Sequence, residues 1–265
     1  MNEPLTISVV VPKRGINDEG NGKKYALHKL ISEVDSDYVW LQDDDIEPPT
    51  LSPQGMLEVL KGYGYPDMLI LPLAMTLVNG SMVERLQQAE YAAIQQLTIE
   101  TAQKGRAVMC SGANLIVKRD RWLESYADLH LEQPSGDDMY LLESFKRREL
   151  KVAVYDSLDA TARVHPCSNL SAFIRQRMRW AGKAGSYTDK DIRRCGAIVV
   201  AANLLQFVCP LVMFIKFPFE RALIKKRDAN ISLWIALLLE VVYPVYMLLS
   251  VIGGVLRSRQ ASSSF

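Results

Sequence analysis

The first apolar run, Ile7–Val11 closed by Pro12, is short and β-branched and predicts a buried strand. A polar stretch, KRGINDEGNG, separates it from GKKYALHKLISEV, where Ala26, Leu27, Leu30, Ile31 and Val34 mark one helical face. Tyr38–Leu41 reads as a second buried strand, with Asp43, Asp44 and Asp45 just past its carboxyl end. Strand, helix and strand within about 40 residues predict a βαβ unit, and in open α/β sheets ligands bind outside the carboxyl ends of the strands. A site is therefore expected at the aspartates. Further along, Pro48, Pro49 and Pro53 end a turn, MLEVLKGYG predicts a short helix and DMLILPLAM a strand. From Gly80 to about Gln103 the pattern is helical, with Val83, Leu86, Ala93 and Leu97 as the apolar stripe. Strands at Ala107–Cys110 and Leu115–Val117 bracket the loop SGAN; helices are predicted over 139–148 and Ala172–Trp180, and a strand over Val152–Tyr155. The fold class is α/β, a mixed sheet flanked by helices.

The pattern changes after Arg194. Residues 196–215 carry no charge, and 231–256 carry one, Glu240. Each run is long enough to cross a hydrocarbon core of about 30 Å at about 1.5 Å per residue, so two transmembrane helices are expected; the alternative is a pair of buried core helices. Arg193 and Arg194 precede the first run, Lys216, Arg221, Lys225, Lys226 and Arg227 follow it, and Arg257 and Arg259 lie beyond the second. If both runs cross, the basic 216–230 loop faces outward, against the positive-inside tendency. A re-entrant segment or an interfacial helix at 216–230 would remove that conflict. The expected division is a 1–190 α/β domain, a 191–257 membrane region and a disordered tail at 258–265.

Composition adds limits. With 49% apolar and 23% charged residues the chain is not disordered, and a net charge of +1 gives no argument for a nucleic-acid partner. Cys110, Cys167, Cys195 and Cys209 stand far apart without a C-x-x-C pair, as expected of reduced thiols in a cytosol-facing protein. MNEPLTISVVVPKRG has no basic segment followed by a long apolar one, so no secretory signal is read there. With the two apolar runs, these features lead to the expectation of a multi-pass protein whose α/β domain faces the cytoplasm.

Adjacent carboxylates repel one another unless a cation sits among them. Alternate residues of an extended segment share a face, so Asp43 and Asp45 can aim at one hard divalent ion, Mg²⁺ or Mn²⁺, with diphosphate oxygens completing the shell. Asp137 and Asp138, in PSGDDMYLL, precede a helical start. They serve either as helix N-caps or as a general base, because neighbouring carboxylates raise each other's proton affinity. RQRMRW, at 175–180, is either a solvated charge run or an anion site: Gln176 shares a helical face with Arg179 or Trp180, an arginine fork suits a departing diphosphate, and an indole packs on a sugar face. His28, His130 and His165 are scattered, which disfavours a soluble metal hydrolase.

The order D-D-D, G-A-N, G-D-D, Q-x-x-R-W and then membrane segments resembles the processive and lipid-linked family 2 glycosyltransferases of GT-A fold, which include cellulose and hyaluronan synthases. The resemblance is strongest to a bacterial membrane-bound subgroup reading GKKxAL, CxGAN, GDDMxLL and QRxRWAxK, present here as Gly22–Leu27, Cys110–Asn114, Gly136–Leu142 and Gln176–Lys183. It implies a GT-A, Rossmann-like domain in which Lys23 touches the nucleotide and Asp43 and Asp45 bind donor diphosphate and metal. It further implies that Asp138 is the base, with Asp137 beside it, and that Gln176, Arg179 and Trp180 hold the diphosphate and the acceptor end. Cys110, Gly112 and Asn114 would line the acceptor side. The implied reaction is an inverting transfer of a sugar from a nucleotide-sugar, a UDP-sugar foremost, to a lipid-linked or polysaccharide acceptor. That the membrane is the cell (inner) membrane is implied only by this bacterial resemblance.

One part of the family pattern is missing. Members usually begin with a strand ending in a P-x-R-N-E-like turn and a later strand ending in an Asp-Asp-x-Ser-like nucleotide loop. Here SVVVP leads almost directly to GKKYAL, an omission of roughly 70–100 residues by ordinary domain size. The chain is therefore expected either to be an N-terminally truncated or split product, or to use Ile7–Val11 as the third strand with the first two absent; in both cases the uracil-binding half is missing. Two functions remain open at this stage: an active transferase, or an inactive remnant acting as a membrane scaffold or subunit. The retained carboxylates after residue 40 favour the first.

Overall fold

The computed structural model describes residues 4–13, 22–133 and 135–262. Most of the expected loop at 13–22 and the end of the tail fall outside them. In chain order the elements are β1 (Ile7–Val10), α1 (Lys23–Glu33), β2 (Tyr38–Gln42), α2 (Pro53–Gly62), β3 (Met68–Ile70), β4 (Leu73–Met75), α3 (Met82–Gln103), β5 (Asn114–Lys118), α4 (Arg119–Glu124), α5 (Asp137–Arg147), β6 (Val152–Val154), β7 (Ala162–Val164), α6 (Leu170–Ala181), α7 (Lys190–Val208), α8 (Val212–Arg227) and α9 (Leu233–Ser262).

The chain forms two compact units, Met1–Leu73 with Thr98–Val164, and Ala74–Leu97 with His165–Phe265. These boundaries differ from a single cut at residue 190, because part of α3 and all of α6 belong with the C-terminal helices.

The first unit holds a five-stranded mixed sheet in the order β1-β2-β5-β3-β6. β1 pairs parallel to β2, with Ile7 opposite Tyr38, and α1 is the crossover between them, so the expected βαβ unit is present. β5 runs antiparallel to both β2 and β3. All five residues of β2, YVWLQ, are buried, as an interior strand covered on both faces requires. β1 is different: it stands at the sheet edge and Val9 is 42% exposed, so it is not the buried strand its β-branched run predicts. Tyr38, Trp40, Met56, Leu60, Leu69 and Ile116 form the core between the sheet and α2. That helix opens with Ser52 Oγ accepting from the Gly55 N–H at 3.1 Å and with proline in its first turn.

Other expectations are corrected. Ala107–Cys110 belongs to no strand, and DMLILPLAM is two short strands parted at Pro72. The helix α4 and a 3₁₀ turn at Tyr126–Leu129 are too short to show a period in the sequence.

In the second unit α3 buries Glu84, Gln87 and Glu90, while Val83, Leu86 and Ala93 of the expected stripe are only half-buried. Each buried polar side chain is answered. Glu84 accepts the backbone N–H groups of Val78, Asn79 and Gly80 at 2.9–3.0 Å. Gln87 exchanges two hydrogen bonds with the Cys167 backbone, at 2.8 and 3.1 Å. Glu90 pairs with Arg177.

The run 196–215 does not make one helix. Proline has no N–H and pushes its predecessor out of the helical region; α7 ends at Val208, Cys209 is extended, and α8 begins after Pro210. Among the described residues one helix is long and apolar enough to cross a membrane, over Leu233–Gly254 of α9. α9 also continues to Ser262, into the stretch expected to be disordered. Gly254 lies against α6 so closely that a Cβ there would come within 2.6 Å of the Gly182 nitrogen.

Candidate active site

Asp43 is the first residue past β2, where the strand's carboxyl end delivers it to the rim of the sheet. Asp44 and Asp45 already lie in a turn, so the alternation that would aim Asp43 and Asp45 together does not extend to them; both are exposed, whereas Asp43 is partly buried.

Asp43 Oδ1 accepts a hydrogen bond from Lys23 Nζ at 2.5 Å, and the same ammonium stands 3.6 Å from Asp137 Oδ2. Lys23 opens α1 directly after Gly22, whose φ of +85° is a left-handed conformation suited to glycine. Asp137 and Asp138 open α5 after Gly136, at φ +92°, which makes no side-chain cap. Neither aspartate is the N-cap, so the capping alternative fails. Both sit within the first turn, where the helix dipole favours negative charge.

The loop before β5 closes this cluster from another side. Cys110 Sγ donates to the Asp138 carbonyl at 3.2 Å, and the Gly112 N–H to Asp138 Oδ2 at 3.4 Å. A Cβ on Gly112 would stand 3.3 Å from Asp137 Oδ2 and 3.6 Å from Lys23 Nζ, so the glycine leaves room for the ion pair. Burial opposes the charge on Lys23, but Asp137, Asp43 and Asp138 more than offset it and hold the ammonium above the usual lysine range. Burial, with Asp138 and Asp137 nearby, pushes the Cys110 thiol well up, so it is a neutral thiol rather than a nucleophile.

Asn114 is fully buried. Its Oδ1 accepts from Trp40 Nε1 at 2.9 Å and its Nδ2 donates to Pro72 O and Ala160 O at 2.8 and 2.9 Å. It braces β5 and does not line an open surface, contrary to the acceptor-side expectation.

Lys24 is a residue the sequence did not single out. Its buried ammonium donates to the carbonyls of Leu129, His130 and Gln133 at 2.5, 2.7 and 2.9 Å and lies 5.0 Å from the Tyr140 ring centre. It thereby pins the loop that leads to Asp137. The paired lysines of GKKYAL were the signal, but no spacing rule told which one turns inward.

In the second unit α6 is capped by Asn169 Oδ1, which accepts from the Ala172 N–H at 2.9 Å. Arg175 and Arg179 are exposed. Arg177, passed over in the sequence, is buried: its guanidinium grips both oxygens of Glu90 at 2.6–3.1 Å. Gln176 Oε1 accepts from Arg177 Nη1 at 2.7 Å, and the Trp180 ring centre is 4.2 Å from the guanidinium carbon. Gln176, Arg179 and Trp180 thus share one helix, and Arg177 organises two of the three.

Among the described residues no group of three or more His, Cys, Asp or Glu side chains is gathered to hold a metal by itself. The acidic cluster fits a divalent ion as a partial shell. Asp43 and Asp137 flank a cation already, the Lys23 ammonium, and carboxylate oxygens with diphosphate oxygens are the donor set of Mg²⁺ or Mn²⁺.

Residues 6–183 match the model of the glycosyltransferase-like family 2. The chain belongs to this family. Membership supports glycosyltransferase activity, and the mixed α/β architecture agrees with it. Among curated proteins no significant match is found. Of solved structures, 39 chains match. One is the mannosyltransferase PcManGT from Pyrobaculum calidifontis in complex with GDP-Man and Mn²⁺, at 14% identity and a TM-score of 0.46, covering 89% of this chain and 66% of that one. This family 2 chain therefore spans just under two thirds of that structure's length.

Proposed function

We propose that this family 2 chain is an inverting glycosyltransferase that moves a sugar from a nucleotide-sugar, a UDP-sugar, to a lipid-linked or glycan acceptor at the cytoplasmic face of a membrane. The observation that carries the proposal is the convergence of Lys23, Asp43, Asp137 and Asp138 at the carboxyl rim of the sheet, with Gly112 making room for them. Lys23 is a fixed cation for diphosphate oxygens, and Asp43 and Asp137, which flank it, would hold Mg²⁺ or Mn²⁺, with Asp45 joining only if the exposed turn swings it inward. When bound, that ion would neutralise charge on the departing diphosphate.

Asp138 is the general base. Its Oδ1 takes the Met139 N–H at 2.8 Å and its Oδ2 the Gly112 N–H at 3.4 Å, and these bonds hold the carboxylate at the start of α5, beside Asp137, for a base's role. Asp137 holds Lys23 and keeps negative charge beside the base. On α6 itself, exposed Arg179 is a guanidinium fork of the shape that grips a diphosphate, and Gln176 and Trp180 are set by Arg177. A membrane seat is supported by the apolar α9.

Calorimetric titration of UDP and GDP with Mn²⁺, on the wild type and Asp43→Asn, tests donor binding. Incubation of membranes with radiolabelled UDP-sugars then tests transfer. UDP binding that Asp43→Asn weakens, with label moved into a lipid or glycan fraction, is expected; no nucleotide binding by folded protein would refute the reading.

A further inference from the structure

The longest apolar helix is exposed along one face only. Trp234, Leu238, Val241, Val245, Leu249 and Ile252 follow one another at steps of three and four residues and are 37–79% exposed, so α9 presents a single apolar stripe about 27 Å long at about 1.5 Å per residue. Within that stretch Glu240 and Ser250 are turned inward and buried.

The opposite face is covered along its length by other helices of the same unit. Ala236 and Leu239 pack with Ala89 and Ala92 of α3 and Ile224 of α8. Phe173 of α6 meets Tyr246 edge to face, with ring centres 5.2 Å apart, and Gly182, which caps the end of α6, abuts Gly254. α6 therefore accompanies the second half of α9, and it carries exposed Arg175 and Arg179. If α9 crossed a bilayer, α6 would have to enter the hydrocarbon with both arginines uncovered, which is costly. A helix lying along the surface meets no such conflict: one face enters the acyl chains and the other keeps α3 and α6 in water.

We propose that α9 lies in the plane of a membrane and seats this unit on one anionic leaflet. Charge supports the choice of an anionic surface, since Arg193 and Arg194 at the start of α7 and Lys225 and Lys226 at the end of α8 are exposed and border helices whose own exposed side chains, Phe207, Val208, Phe214 and Ile215 among them, are apolar. Trp234, at the beginning of the stripe, is a residue type favoured at the headgroup level. The proposal refines the membrane seat of the preceding section and rests on none of the sugar chemistry.

The test is labelling from a defined side. In a chain whose four cysteines are replaced by serine, Ala229→Cys and Ser258→Cys are introduced singly, and sealed vesicles of both orientations are treated with a membrane-impermeant maleimide. Reaction of both positions from the same face is expected, whereas reaction from opposite faces would show that α9 crosses and overturn the proposal while leaving membrane association intact. Recovery of the chain in the soluble fraction would overturn both. A second measurement leaves the cysteines in place and compares sedimentation with vesicles of phosphatidylcholine alone and mixed with phosphatidylglycerol. Binding at least about tenfold stronger to the mixture is expected from two or more surface cations, and a similar loss for Val245→Lys; equal binding to both vesicles, or no loss in a variant of unchanged circular dichroism, would count against it.

Discussion

At the residue scale, chemistry turns on which lysine and which aspartate do what. Lys23 stands between Asp43 and Asp137, where a divalent ion would find its oxygens, so the two cations compete. Lys23→Met is expected to bind Mn²⁺ in the absence of nucleotide at least about tenfold more tightly than the wild type, a gain of about 1.4 kcal/mol; electron paramagnetic resonance of free Mn²⁺ reads it, and unchanged or weaker binding would remove the competition. Asp138→Asn should lower transfer by about 10²–10⁴-fold while leaving nucleotide affinity within a few-fold, measured as separate turnover and calorimetric assays. Asp43, Asp137 and Asp138 were legible as candidates because carboxylates in runs next to strand and helix ends demand a cation, whereas Lys23 entered only through the GKKxAL resemblance, which gave it to the nucleotide and not to the aspartates. Lys24 and Arg177 were not legible. A buried lysine held by three carbonyls and a buried arginine matched to a glutamate 87 residues away announce themselves only through partners that local spacing cannot supply.

At the element scale, α3 and α6 are joined by the Glu90–Arg177 pair, with both side chains more than nine-tenths buried. Removing one partner strands the other charge, so Glu90→Gln and Arg177→Met are each expected to cost about 3–5 kcal/mol, and the double variant less than their sum; denaturant titration of the four proteins checks this. Glu84 works at the entrance of α3. Its hydrogen bonds from the backbone, that from Asn79 foremost, hold its carboxyl below the ordinary glutamate range against the effect of burial. The folded-state value is depressed, so its stabilisation is complete above the unfolded value and fades as pH falls through the folded one. Glu84→Gln should flatten the acid limb of the stability profile below about pH 4, read from melting temperature against pH. The apolar stripe expected on α3 missed this, because periodicity reports where apolar residues stand and not which polar residues have partners.

At the scale of the whole molecule, the α/β class, the βαβ unit and the helical C-terminal region were readable from runs of apolar residues, which follow the layers they must fill. The division into units was not readable, since it depends on α6 and part of α3 packing with helices far along the chain. Nor does the 196–215 run make one helix, for Pro210 outweighs the hydropathy around it; among the described residues one helix, over Leu233–Gly254, is long and apolar enough to cross.

The three carbonyls that converge on Lys24 also set an order of events. They lie 105–109 residues from the lysine that holds them, a long closure that forms slowly and late. The entrance of α5 is therefore expected to mature after the β1–β2 pair, whose partners stand only 31 residues apart, for example Ile7 and Tyr38. During refolding a protease should still cut beside Gln133 when β1 and β2 are already protected; simultaneous protection would remove the idea.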